Sequence, residues 1–168
     1  GSEMCIRDRG SSVNLNRQEG PHAHMAHLTP DGRHLLVTDL GTDQLMVYQI
    51  NPQGKLALLK DRCLTLPAGS GPRHLTFSNS NKSMYLINEL GNTILVFPVG
   101  EDGLPEKEYV QKIETLPSDF SEESTTADIH VHPSGKFLYG TNRGHDIFCC
   151  YPVSYTHLRA HETASHRV

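Results

Sequence analysis

Between Gly71 and Gly91 the chain reads GPRHLTFSNSNKSMYLINELG. Two short apolar-rich runs, Arg73 to Phe77 and Met84 to Asn88, flank the polar run Ser78 to Lys82. The runs have strand length and the polar segment consists of turn formers, so the pattern predicts two antiparallel strands around a tight turn. Alternation in the first run sets Arg73 and Leu75 on one face and His74 and Thr76 on the other. The second is continuously apolar, as suits burial between two sheets, and ends on Glu89.

The pattern recurs. PHAHMAHLTPDGRHLLVTDLG runs from Pro21 to Gly41, and TADIHVHPSGKFLYGTNRG from Thr126 to Gly144. Written beneath the first stretch, Pro21 falls under Gly71, His24 under His74, Asp39 and Asn142 under Glu89, and Gly41 under Gly91. Recurrence at roughly 50 residues, with several short strands per copy, is the signature of propeller blades. The alternative is a chance run of hairpins in an ordinary sandwich; the joint alignment of turns, apolar centres and polar strand ends favours the repeat. The expected fold is all-β: a β-propeller fragment of about two and a half four-stranded antiparallel blades, over about 21–70, 71–126 and 127–152.

In the first blade the expected strands are His22 to Thr29, His34 to Asp39, Gln44 to Ile50, and an outer strand within Lys55 to Leu66. The second continues with Asn92 to Val99 and an outer strand near Tyr109 to Leu116. The third begins at Ala127 and continues through Phe137 to Thr141 and Asp146 to Tyr151. Gly10 to Gly20 is polar and weakly periodic, the end of a preceding blade or a linker. Pro117 to Thr126, acidic and serine-rich, reads as a solvated loop, with a lid over a site as the alternative. No long segment has the 3.6-residue period of a helix.

Composition narrows the function classes. The 168 residues carry a net charge of −4 with no basic stripe, which argues against nucleic acid. No stretch is apolar enough to suggest a membrane span, and Gly1 to Asn14 lacks the apolar core of a secretory signal. Cys5, Cys63, Cys149 and Cys150 form no CxxC pair, so a reduced, cytoplasmic protein is expected. The two ends stand apart. A single short DNA duplex can encode GSEMCIRD (Gly1 to Asp8) on one strand and VSYTHLRA (Val153 to Ala160) on the other. It resembles a sequencing adapter read in frame at both ends of an insert. Residues 1–9 and 153–168, with Cys5, His157, His161 and His166, are therefore set aside as adapter-derived.

In a propeller the innermost strands ring a channel, so equivalent positions on successive blades converge. His22 and His24, Arg73 and His74, and Glu89 and Arg143 are the residues such convergence would gather. Guanidiniums bind phosphate or carboxylate in bidentate fashion, and an imidazole or carboxylate can take a proton from water. The set suits an anionic substrate and a proton transfer. His22 and His24, two apart on one strand, have no assigned third ligand, so no metal is expected. His27, His34, His130 and His132 read as structural or surface histidines. Asp39 is either a site residue or an acceptor of backbone N–H groups in a tight turn.

The segments PHAHMAHLTPDG, DLGTDQLMVY, GPRHLTF, INELGNTILVF and DIHVHPSGKFLYGTNRGHD together resemble the seven-bladed propeller lactonase family, across nearly all of residues 21–148. The resemblance implies a metal-free, cofactor-free site on one propeller face, with His24, Arg73, Glu89 and Arg143 as the functional residues. It implies hydrolysis of 6-phospho-D-glucono-1,5-lactone to 6-phosphogluconate, a step of the oxidative pentose phosphate route. A phosphorylated sugar lactone would then be the binding partner, contacted also by His22 and His74. Carboxy-muconate-type cycloisomerase or other lactonase activity, and a non-enzymatic binding scaffold, are the alternatives. A piece of such a ring, with blade faces uncovered, is expected to be inactive and prone to aggregate.

Overall fold

The computed structural model describes residues 10–153. Both terminal segments read as adapter-derived lie, apart from Val153, outside these residues. Within them the fold is all-β, in three antiparallel sheets. The first contains β1 (Ala23–Leu28), β2 (His34–Asp39), β3 (Gln44–Ile50), β4 (Leu56–Leu58) and β5 (Leu64–Thr65). The second contains β6 (Pro72–Phe77), β7 (Ser83–Asn88), β8 (Thr93–Pro98) and β9 (Gln111–Glu114). The third contains β10 (Thr125–Val131), β11 (Phe137–Arg143) and β12 (Ile147–Pro152).

Burial on both faces explains the continuous apolar runs. From β7, Met84 and Leu86 point toward the first sheet and Tyr85 and Ile87 toward the third; from β8, Leu95 and Phe97 oppose Ile94 and Val96 in the same way. One core thus joins the first two sheets through Leu36, Leu45, Val47 and Leu75, and another joins the last two through Ile129, Leu138 and Ile147. Each fully buried side chain of this size contributes about 1.5–3 kcal/mol.

The outer strand expected within Lys55 to Leu66 is divided. β4 and β5 both pair with β3, and a 3-10 turn, Lys60–Arg62, lies between them. Between its paired ends this segment has more residues than the facing part of β3, and the surplus loops out, with the Cys63 thiol donating to Leu59 O.

Two expectations about register are corrected. Pairing sets Ala23 opposite Asp39, Pro72 opposite Asn88 and Thr126 opposite Asn142. Asp39, Asn88 and Asn142 are therefore the equivalent residues, while Glu89 corresponds to Leu40 and Arg143. Each innermost strand also departs from regular pairing at the same place, between Ala23 and Met25, between Pro72 and His74, and between Thr126 and Ile129. The extra residues are His24, Arg73 and Ala127, so His24 is the counterpart of Arg73 rather than of His74. A bulge re-aims the side chain it carries. It also ends the alternation expected of Arg73 and His74, whose side chains lie against one another.

Candidate functional site

β6 lies between β1 and β10, and the bulges of β1 and β6 deliver His24 and Arg73 to the place where the β7 and β11 ends deliver Glu89 and Arg143. Glu89 is the hub. It is 1 % exposed, yet three guanidiniums reach it. Arg73 Nε donates to Oε2 at 2.9 Å and Arg143 Nη2 lies 3.1 Å from the same oxygen. Arg17 Nη2 donates to Oε1. His24 Nε2 stands 3.9 Å from Oε2. Burying a carboxylate is costly without such partners.

Electrostatics separates the roles. Burial alone would raise the Glu89 carboxyl. The hydrogen bond and charge of Arg17, the charge of Arg143 and the hydrogen bond from Arg73 outweigh it and hold the group below its ordinary 4.5. Burial, then Arg73 and His74, hold the His24 imidazole below its ordinary 6.5, against the opposing pull of Glu89. At neutral pH the site therefore presents an ionised, fully engaged carboxylate and a neutral imidazole.

The four residues gathered by the resemblance, His24, Arg73, Glu89 and Arg143, do meet. His74 adjoins them, its ring centroid 5.4 Å from that of His24 in an edge-on arrangement. His22 stands before β1 and contacts Glu19, 3.0 Å away, so it does not share a partner with His24. Both histidines nevertheless border one open cavity of about 270 Å³, with Arg17, Glu19 and Asn16. Among the described residues no group of three or more His, Cys, Asp or Glu is arranged to hold a metal ion.

Asp39 is structural. Its Oδ1 accepts backbone N–H bonds from His22, Gly41 and Thr42 at 2.8, 3.0 and 3.2 Å. His27, His130 and His132 are at the surface or rim, bonded to Leu28 O, Asp128 and Ser134, and His34 is buried at the turn end of β2. The acidic stretch is exposed over much of its length, and it flanks the site: Ser124 Oγ donates to Arg143 O, and the Phe120 ring lies 4.3 Å from that of His145.

Arg17 escaped the sequence reading because it sits in the polar, weakly periodic stretch read as the end of a preceding blade or a linker. That stretch is docked. Gln18 is fully buried and its Nε2 donates to Leu40 O at 2.9 Å; Ser12 Oγ donates to Asp43 Oδ2 at 2.5 Å. Gly41 permits the approach, since a Cβ there would lie 1.8 Å from Gly20 O. The available signal was Gln18 and Arg17 beside a turn, without periodicity to mark them.

Comparison with known proteins agrees with this architecture. The family described as lactonase, 7-bladed beta-propeller matches residues 2–167, a span that includes both ends and lends the adapter reading no support. A 6-phosphogluconolactonase of Serratia proteamaculans is 35% identical over 131 residues, covering 78% of this chain and 39% of that protein. A solved Lactobacillus plantarum protein superposes with a TM-score of 0.87 at 31% identity, covering 95% of this chain and 46% of the other. The Pseudomonas aeruginosa periplasmic gluconolactonase gives 0.85 at 30% identity, covering 94% and 45%. The chain thus spans less than half the length of these relatives. A family match over almost every residue, together with three blade-like sheets stacked in the expected order, means that this chain belongs to the seven-bladed β-propeller lactonase family.

Proposed function

We propose that the full-length protein carrying this segment is a lactonase that hydrolyses 6-phospho-D-glucono-1,5-lactone to 6-phosphogluconate. The observation that carries the reading is the single buried carboxylate of Glu89 shared by Arg17, Arg73 and Arg143, with a neutral His24 beside it.

A lactone is a cyclic ester. Water must add to its carbonyl carbon, the resulting oxyanion must be stabilised, and the ring oxygen must leave with a proton. His24 has the lone pair to accept the proton of the attacking water, since its pKa lies below 6.5. As the C1–O5 bond breaks, the same imidazole returns that proton to the departing ring oxygen. Glu89 is a poor base because its oxygens are occupied and its pKa is depressed. Its part is to fix the guanidiniums. Arg73 commits Nε to Glu89 and Nη1 to Ala127 O, which leaves Nη2 for the substrate oxyanion or phosphate. Around Glu89 three guanidiniums meet one carboxylate, a local cationic excess that suits a phosphorylated substrate, while Glu19 stands at the cavity rim and Asp128 is engaged by His74 and His130.

A second reading, a lactonase for the unphosphorylated sugar, is favoured by the likeness to the Pseudomonas gluconolactonase. Assay of the full-length protein on both lactones, against the spontaneous rate, tests the proposal. A higher kcat/KM on the phosphorylated lactone is expected. A reversed preference selects the second reading, and no acceleration of either removes both.

A further inference from the structure

The third sheet adds a group to the site that neither the sequence pattern nor the family comparison singles out. Asp128 follows Ala127 at the bulge of β10, in the position that His74 occupies on β6. Its Oδ1 lies 2.7 Å from His74 Nδ1. The carboxylate is itself held: Ile129 N–H donates to Oδ1 at 2.9 Å, and His130 Nε2 lies 2.8 Å from Oδ2. These bonds outweigh the opposing effect of burial and bring the Asp128 carboxyl down to about 2, so it is an acceptor and not a donor at neutral pH.

We infer that Asp128 is a positioning residue that fixes His74 as its Nδ1–H tautomer, so that His74 Nε2 accepts a hydrogen bond from a hydroxyl of the substrate. An ionised carboxylate can only accept, so the proton between the two groups belongs to Nδ1, and in the Nδ1–H tautomer the ring lone pair lies on Nε2. Arg73 does not consume that lone pair. Its Nη1 is 3.4 Å from Nδ1 and 3.3 Å from Nε2. A point nearly equidistant from both nitrogens at this range lies over the ring and not in its plane, where it would collide with the carbon between them. The His24 ring stands beside it, 5.4 Å between centroids and 69° between planes. Guanidiniums and backbone N–H groups can only donate, so an acceptor beside them gives a sugar hydroxyl what the arginines cannot. This inference rests on the lactonase reading and names the hydroxylated part of the substrate as what His74 recognises.

The test uses the full-length protein with 15N-labelled histidine, His74 being assigned by its disappearance in His74→Gln. The long-range 1H–15N spectrum at neutral pH is expected to show His74 protonated on Nδ1, and Asp128→Ala to shift it toward the Nε2–H form. Asp128→Asn, whose amide can donate to Nδ1, is expected to do so more completely. Loss of one substrate hydrogen bond should raise KM for the lactone about three- to tenfold with kcat within about twofold. A wild-type His74 carrying its proton on Nε2 overturns the inference even if neither variant folds. Unchanged tautomer and KM in a folded variant overturn it as well. The spectrum is independent of turnover: a protein that hydrolyses no lactone ends the functional reading, whereas a working lactonase with His74 in the other tautomer ends only this one.

Discussion

Arg73 Nε donates to Glu89 Oε2 across 2.9 Å, joining the bulge of one strand to the residue that follows its antiparallel partner. Glu89→Gln removes the charge while keeping the shape, and three guanidiniums then face one another with nothing to offset them. Expected stability loss is on the order of 1–3 kcal/mol, less than for a fully buried pair because Arg17 and Arg143 are half-exposed. Urea unfolding of the full-length protein beside Glu89→Gln reads this directly, and a shift in midpoint without a change in slope is the expected form.

The same ion cluster sets a response to acid. The Glu89 carboxyl lies below 4.5 and the carboxyl of the adjoining Asp128, bonded to His74 and His130, at about 2. For depressed carboxylates the stability is present above the ordinary values and is lost as pH falls through the folded ones. Melting temperature should therefore fall most between about pH 4.5 and pH 2, after a smaller decline that begins near pH 6.5, where the unfolded chain takes up a proton that the depressed His24 does not. Glu89→Gln should flatten part of that fall in a pH series of thermal melts.

The rate has its own dependence. If neutral His24 takes the proton of water, activity requires its unprotonated form, and kcat/KM should rise with pH along a limb centred below 6.5. His24→Gln should lose on the order of 100-fold in kcat together with that limb. A limb centred above 6.5 would point to another base.

Arg17 supplies a contrast. Its side chain is 47% exposed and it borders the cavity, so Arg17→Gln should leave the melting temperature within a few degrees and raise KM for the phosphorylated lactone by about tenfold. An equal effect on the unphosphorylated lactone would mean that Arg17 acts only through Glu89.

Asp39 has a purely structural expectation. It is fully buried and its Oδ1 collects three backbone N–H groups, so Asp39→Ala strands them. A loss of about 1–3 kcal/mol in chemical unfolding is expected.

Much of this site could be read before the fold was seen, because the repeat carries its own geometry. The repeat gathered His22, His24, Arg73, His74, Glu89 and Arg143 as positions that a ring would bring together, and the family resemblance narrowed these to His24, Arg73, Glu89 and Arg143. What the pattern could not carry was the pairing frame. Gly41 and Gly91 invite alignment, but Asp39-Leu40-Gly41 is one residue shorter than Asn88-Glu89-Leu90-Gly91, so Asp39 is the counterpart of Asn88 and His24 of Arg73. The bulge itself recurs at the same place in each innermost strand and leaves no mark in hydropathy. Arg17 was hidden for a different reason. Its segment is held by individual polar contacts such as Gln18 to Leu40, which leave no period behind. His130 reads as a structural or surface histidine, and nothing in the sequence singles out Asp128, since only tertiary structure sets it against His74.

If the buried Glu89 carboxylate organises a site for lactone hydrolysis, its loss must show in turnover. The most direct measurement is the steady-state hydrolysis of 6-phospho-D-glucono-1,5-lactone by the full-length protein and by its Arg73→Ala and Glu89→Ala variants. Clear acceleration over the spontaneous reaction is expected, with a fall of about 100-fold or more in kcat/KM for each variant. Undiminished turnover in both would contradict it.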